Sequence, residues 1–240
     1  MKTASKVIVA LDVETADEAR SIVSELSGEP AAFKIGLQLF TAAGPGLVRE
    51  IAAKHRVFLD LKFHDIPNTV AKAAVETARL GVWMFNVHTL GGSEMMRRTV
   101  EEVESVCPRE GLRRPLIIGV TVLTSSDANT LAEIGIESET AAQVAKLAGL
   151  AEAAGLEGVV ASPQDVTAIR SAVSDANFTV VTPGVRPEFA TNDDQKRVMT
   201  PRRAVSEGSD YLVIGRPILR AENRLEALKR IQKEIDSVEE

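Results

Sequence analysis

The densest chemistry in the chain lies in ten consecutive residues, Asp60-Leu-Lys-Phe-His-Asp-Ile-Pro-Asn-Thr69. Asp60 and Lys62 stand two apart, so on a strand their side chains share one face. Asp65 follows where the chain turns. Two charges on one face of a buried strand are costly unless they are paired. Upstream, Asp12 and Lys34 stand in or just after similar apolar runs. A lysine among carboxylates suits proton transfer and electrostatic stabilisation of a reacting group. The plainer reading of a single pair is a structural ion bridge. Five charges converging from three neighbouring strands point to a catalytic site.

The elements that must position these residues follow from periodicity. Eight short apolar runs read as strands: Lys6–Leu11, Ala32–Leu37, Arg56–Lys62, Met84–Thr89, Pro115–Leu123, Gly158–Ala161, Thr179–Thr182 and Tyr211–Gly215. Helical patterns lie between them. Thr15 and Glu18 form a capping box ahead of Ala19, Ile22, Val23 and Leu26, with Gly28 as the stop. Ser162-Pro163 and Thr200-Pro201 read as N-cap and first-turn pairs. Gly81 and Gly155 end two further helices. This alternation predicts an α/β fold, a single-domain (β/α)8 TIM barrel spanning residues 1–240. No Gly-x-Gly-x-x-Gly follows the first strand, which argues against a dinucleotide fold.

Strand parity assigns the faces. Val7, Val9 and Leu11, then Phe33, Ile35 and Leu37, then Val57, Leu59 and Leu61 form uniformly bulky apolar faces suited to the helix layer. The opposite faces carry small residues and charges, and are assigned to the barrel interior. Asp12, Lys34, Asp60, Lys62 and Asp65 are then expected at the C-terminal mouth, where barrel enzymes place their chemistry.

Composition bounds the alternatives. The chain has 240 residues, 45% apolar and 26% charged, which fits a globular protein and excludes general disorder. A net charge of −6 has the wrong sign for a nucleic-acid binder. The apolar stretch Val7 to Leu11 is too short for a signal peptide, and the run from Pro115 to Leu123 is too short to cross a bilayer. A cytoplasmic protein without membrane contact is expected. Cys107 is the single cysteine, and the three histidines lack metal-ligand spacing, so no metal site is expected.

The signature Asp60-x-Lys62-x-x-Asp65-Ile-Pro-Asn-Thr69 resembles that of the orotidine 5′-phosphate decarboxylases, in their stand-alone bacterial form. Val9-Ala-Leu-Asp12, Phe33-Lys34-Ile-Gly36, Val122-Leu-Thr124-Ser, Thr182-Pro-Gly-Val-Arg186, Asp194-Gln195-Lys-Arg and Ile214-Gly-Arg216-Pro217 match in order along nearly the whole chain. The resemblance implies a cofactor-independent carboxy-lyase that makes uridine 5′-monophosphate from its C6 carboxylate. It implies that Lys62 stabilises and protonates a C6 carbanion, that Asp60 faces the substrate carboxylate, and that Lys34 orders the network and reaches the ribose with Asp12. It further implies a homodimer in which Asp65 and Thr69 serve the partner's ribose site. Thr124 is expected at the pyrimidine, and Arg186, Gln195, Gly215 and Arg216 at the phosphate. The stretch from Gly184 to Met199 reads as a lid.

Three rivals make different demands. Metal-dependent sugar-phosphate decarboxylases and aldolases of the same superfamily carry an acidic residue after strand two; Lys34 at that place would repel a cation. A Schiff-base aldolase needs a neutral amine, and two neighbouring aspartates favour the ammonium form of Lys62. An inert ligand-binding barrel would not need an intact charge cluster. His64 and His88 read as structural, and Trp83 as a packing residue.

Overall fold

The computed structural model describes residues 5–189 and 199–237. Eight parallel strands close into a barrel in chain order: β1 (Val7–Ala10), β2 (Ala32–Gly36), β3 (Val57–Phe63), β4 (Met84–His88), β5 (Leu116–Val120), β6 (Gly158–Val160), β7 (Thr179–Pro183) and β8 (Tyr211–Ile214). All eight expected runs are strands, and β1 pairs with β8 to close the ring. Crossover helices cover the outer face of the strands and the strands' own side chains fill the interior, which explains runs such as Val7-Ile-Val-Ala10 with no polar residue.

The helix signals act as read. Thr15 Oγ1 accepts the Glu18 N–H at the start of helix Ala16–Glu25. Thr200 caps Pro201–Ser206, and Ser162 caps the short 3-10 turn Pro163–Asp165. Gly81 and Gly155 take positive φ just past helices Pro67–Arg79 and Thr140–Ala153.

Two apolar layers result. Ile8, Ala10, Ala32, Phe58, Met84 and Ile118 fill the barrel interior. Val9, Phe33, Ile35, Leu59 and Phe85 face the other way, into the larger layer beneath the helices. Parity therefore assigns the faces correctly for the first three strands. Leu37 is a correction: it opens helix Leu37–Ala52 and is 57% exposed, because β2 ends one residue earlier at Gly36. Trp83 packs edge-on against Tyr211, with the Arg56 guanidinium over its ring.

The outer layer makes a checkable claim. Phe85 is fully buried there. Phe85→Ala is expected to cost about 3–5 kcal/mol in urea unfolding. A loss below about 1 kcal/mol would contradict the packing described.

Candidate active site

The barrel's C-terminal mouth carries a linked set of charges. Lys34 Nζ lies 3.1 Å from Asp12 Oδ1 and 3.4 Å from Asp60 Oδ2. Lys62 Nζ lies 2.7 Å from Asp60 Oδ1. Asp60 is thus shared by two ammoniums, and its side chain is only 14% exposed. Burial opposes its ionisation, but the Lys34 and Lys62 charges and hydrogen bonds from Lys62 and Asn86 outweigh that effect. Its pKa is held below the usual aspartate value.

Local backbone makes this geometry. β3 advances from Leu59 to Phe63 while its partner β4 advances only from Phe85 to Val87, so β3 bulges between them. Within the bulge Lys62 adopts φ 54°, the one positive φ at a non-glycine among the described residues. Such a backbone costs on the order of 1–3 kcal/mol and persists only where surrounding contacts hold it. Asn86 supplies two of them. Its side-chain oxygen accepts the Lys62 N–H at 2.8 Å, and its amide nitrogen donates to Asp60 Oδ1 at 2.7 Å. Sequence reading missed Asn86. The parity used for the first three strands, carried to β4, places it inward between Met84 and His88.

Gly36 ends β2 beside the cluster. A Cβ there would stand 2.9 Å from Lys34 Nζ and displace the ammonium from its present position. Gly215 lies against Asp12, since a Cβ there would stand 3.3 Å from Asp12 Oδ2.

Two cavities share Lys34, Asp60 and Lys62 as a common wall. One, of about 170 Å³, is largely apolar, with Phe58, Val122, Val160 and Val213 on its sides and Thr124 at its edge. The other, of about 140 Å³, holds Asp12 and Gln38. A larger cavity of about 290 Å³ opens at the N-terminal end of the barrel beside Lys6, Glu29, Arg56 and Gln232. It lies away from the charge cluster, at the end where barrels build stability rather than chemistry.

Four of the five expected inward charges meet; Asp65 does not join them. It is exposed, its carboxylate accepts its neighbour Ile66 N–H at 2.6 Å, and it forms no ion pair among the described residues. The bulge ends at Phe63 and the chain then turns outward, so parity no longer carries Asp65 inward. Thr69 is likewise exposed, in the first turn of helix Pro67–Arg79. Arg186 is buried and donates to Val185 O at 3.1 Å, while Arg216 opens the short helix Arg216–Leu219. Neither arginine lines the two cavities at the mouth. The Arg186 N–H bonds Met199 O at 2.9 Å, tying together the ends of the long segment after β7. Gln195 lies outside the described residues. His64 stacks on His88 with ring centroids 5.4 Å apart. Burial, then the His64 and Lys62 charges, lower the His88 pKa to about 4, so His88 is neutral near pH 7. Among the described residues, no group of three or more His, Cys, Asp or Glu could hold a metal ion. Nor is any helix among them long and apolar enough to cross a membrane.

A closed parallel barrel with a buried acid–base cluster at its C-terminal mouth has the architecture of a barrel enzyme. The particular family is settled by comparison: residues 5–231 match the orotidine 5′-phosphate decarboxylase / HUMPS family, and the chain belongs to it. The orotidine 5′-phosphate decarboxylase of Syntrophotalea carbinolica is 52% identical over 231 residues, covering 96% of this chain and 94% of that protein. That of Coxiella burnetii is 49% identical over 231 residues, covering 96% of each. The crystal structure of orotidine 5′-phosphate decarboxylase from Lactobacillus acidophilus superposes with a TM-score of 0.84 at 36% identity, over 97% of this chain and 99% of that one.

The Asp60 environment predicts a pH dependence. A carboxylate with a depressed folded-state pKa adds stability above its unfolded value, near 3.8, and that contribution fades as pH falls from there through the folded value. Wild-type stability relative to Asp60→Asn is therefore expected to fall on acidification through this window, as read by urea midpoints. A difference that stays constant from neutral to acid pH would mean that Asp60 gains nothing from its lysines.

Proposed function

We propose that this protein converts orotidine 5′-monophosphate to uridine 5′-monophosphate and carbon dioxide, without metal or cofactor, in pyrimidine-nucleotide synthesis. The observation that carries this reading is the Lys34–Asp60–Lys62 triad, in which Lys34 is buried and Asp60 nearly so. It sits in a chain about half identical along its length to proteins named for that activity. The larger, apolar cavity suits a flat pyrimidine, with Thr124 as a hydrogen-bonding group at its edge. The smaller cavity, with Asp12 and Lys34, suits a ribose.

In this reading Lys62 does the chemistry. The bond from C6 to the carboxylate carbon breaks, its electron pair stays on C6, and carbon dioxide departs. The Lys62 ammonium stabilises that pair and then gives its proton to C6; solvent returns a proton to the amine. Asp60 stands against the substrate carboxylate, and their repulsion is relieved as carbon dioxide forms. Lys34 holds Asp60 and Asp12 in place. An ammonium 3.4 Å from Asp60 also supports the metal-free reading, because it stands where a divalent cation would be repelled. Arg186, Gln195, Gly215 and Arg216, from the segments after β7 and β8, receive the phosphate.

The active protein is read as a cytoplasmic homodimer, each chain a single barrel domain over residues 1–240, with neither nucleic acid nor membrane as partner. Asp65 and Thr69 are exposed beside the mouth rather than turned into their own cluster. Around them Leu37, Ile66 and Leu90, which follow three neighbouring strands, are 57%, 67% and 40% exposed. An apolar rim of this kind suits a second copy of the chain. The partner's Asp65 and Thr69 positions then complete the ribose site.

Two tests follow. Lys62→Ala is expected to lower kcat by more than the roughly 10²–10⁴-fold that proton transfer alone supplies, with the fold intact by circular dichroism. A variant that retained about a tenth of wild-type turnover would remove Lys62 from its role.

Complementation tests the shared site. Lys62→Ala and Asp65→Ala are expected to be nearly inactive alone. In a mixed dimer one site carries both defects and the other carries neither. With free exchange of equal amounts, about one quarter of all sites regain activity. Verified heterodimers as inactive as their parents would place Asp65 in its own chain's site.

A further inference from the structure

We infer that Asn86 is a positioning residue that fixes the distance and direction between Asp60 and Lys62. The inference rests on the catalytic reading of that pair. Asn86 lies in the middle of β4, is completely buried and faces the barrel interior. Its two hydrogen bonds go to the two residues that matter most, Asp60 through the side chain and Lys62 through the backbone.

The direction of its amide group is determined by chemistry. The Lys62 backbone N–H can only donate, so it meets the side-chain oxygen; the Asp60 carboxylate can only accept, so it meets the NH₂. The asparagine amide offers one acceptor and one donor in this planar arrangement at every pH. Leucine offers neither, and an ionised aspartate offers no donor.

The bulge gives this clamp its purpose. Where β3 runs ahead of β4, regular ladder bonding is interrupted between Leu59 and Phe63. The Asn86 oxygen takes up the Lys62 N–H within that gap, at the residue with φ 54°. The same side chain donates to Asp60 Oδ1, the oxygen that also receives the Lys62 ammonium. One rigid amide thus ties the Lys62 main chain to the atom its own ammonium contacts. That closed ring restricts where Nζ can stand relative to the Asp60 carboxylate. Displacement of a reacting group by about 1 Å can cost about 10²-fold in rate.

The titratable groups around the clamp are Asp60 and Lys62 on β3, Lys34 on β2, and His88 on β4 with His64 stacked upon it. His88 does not change charge above pH 6, since its pKa is about 4.

The test compares Asn86→Ala and Asn86→Asp with wild type, using orotidine 5′-monophosphate as substrate and circular dichroism to confirm folding. Asn86→Ala is expected to lower kcat by about 10²-fold while KM changes less than about threefold. Asn86→Asp keeps the acceptor, and it regains the donor only when its carboxyl is protonated. Its kcat relative to wild type is therefore expected to rise as pH falls from about 8 to 6, while the Asn86→Ala deficit stays constant. Carbon-13 NMR titration of Asp60 supplies a readout independent of turnover; where the alanine variant folds poorly, Asn86→Leu, close in shape and without donor or acceptor at any pH, takes its place. Loss of the amide donor is expected to move the Asp60 titration upward, toward the ordinary aspartate value.

Folded variants with wild-type kcat and an unmoved Asp60 titration would overturn the inference. So would a loss in KM alone, or an Asn86→Asp deficit independent of pH. If wild type itself does not turn over the nucleotide, the catalytic reading fails. The NMR titration then still decides whether Asn86 holds Asp60.

Discussion

The mouth of this barrel is organised around one buried carboxylate. Asp60 is taken out of water, which disfavours its charge, and is then given two ammoniums and an amide donor that restore it. Removing one partner from such a group typically costs about 3–5 kcal/mol, because the remaining charge is left uncompensated in the interior. The surrounding structure serves that balance. Gly36 leaves room for Lys34, and Asn86 spans the bulge that brings Lys62 onto Asp60. Charges of alternating sign on neighbouring strands are tolerable only because each finds its opposite within about hydrogen-bond range.

In the proposed reaction this balance lets Lys62 serve both as a cation and as a proton source. An ammonium held against a carboxylate is already aimed and partly desolvated before substrate arrives. Little reorganisation is then required when charge develops at the reacting carbon. The strained Lys62 backbone belongs to the same arrangement: the fold, through β4 and the closed barrel, supplies the rigidity that holds an unfavourable φ at the point of use.

Much of this arrangement is legible in the amino-acid sequence. Eight strands, their alternation with helices and the inward direction of Asp12, Lys34 and Asp60 follow from period-2 and period-3.6 patterns, because a barrel strand must satisfy two apolar layers at once. Four features are not legible there. The β3 bulge is a register property of a strand pair and leaves no mark in either strand alone. Asn86 is hidden with it, since its partners are a main-chain N–H and an aspartate on the neighbouring strand. Leu37 reads as a strand residue because the helix begins directly after Gly36, without a side-chain cap to mark the boundary. Asp65 reads as inward because counting residues past a strand end says nothing of where a turn points.

In the proposed reaction this charge cluster, and no metal, drives loss of carbon dioxide from a pyrimidine nucleotide. The direct measurement is incubation of the purified wild-type protein with orotidine 5′-monophosphate, following the fall in its ultraviolet absorption with and without a strong chelator. Rapid loss of absorption at the same rate in both is the predicted result. No loss of absorption, or activity abolished by chelator and restored by Mg²⁺, would contradict it.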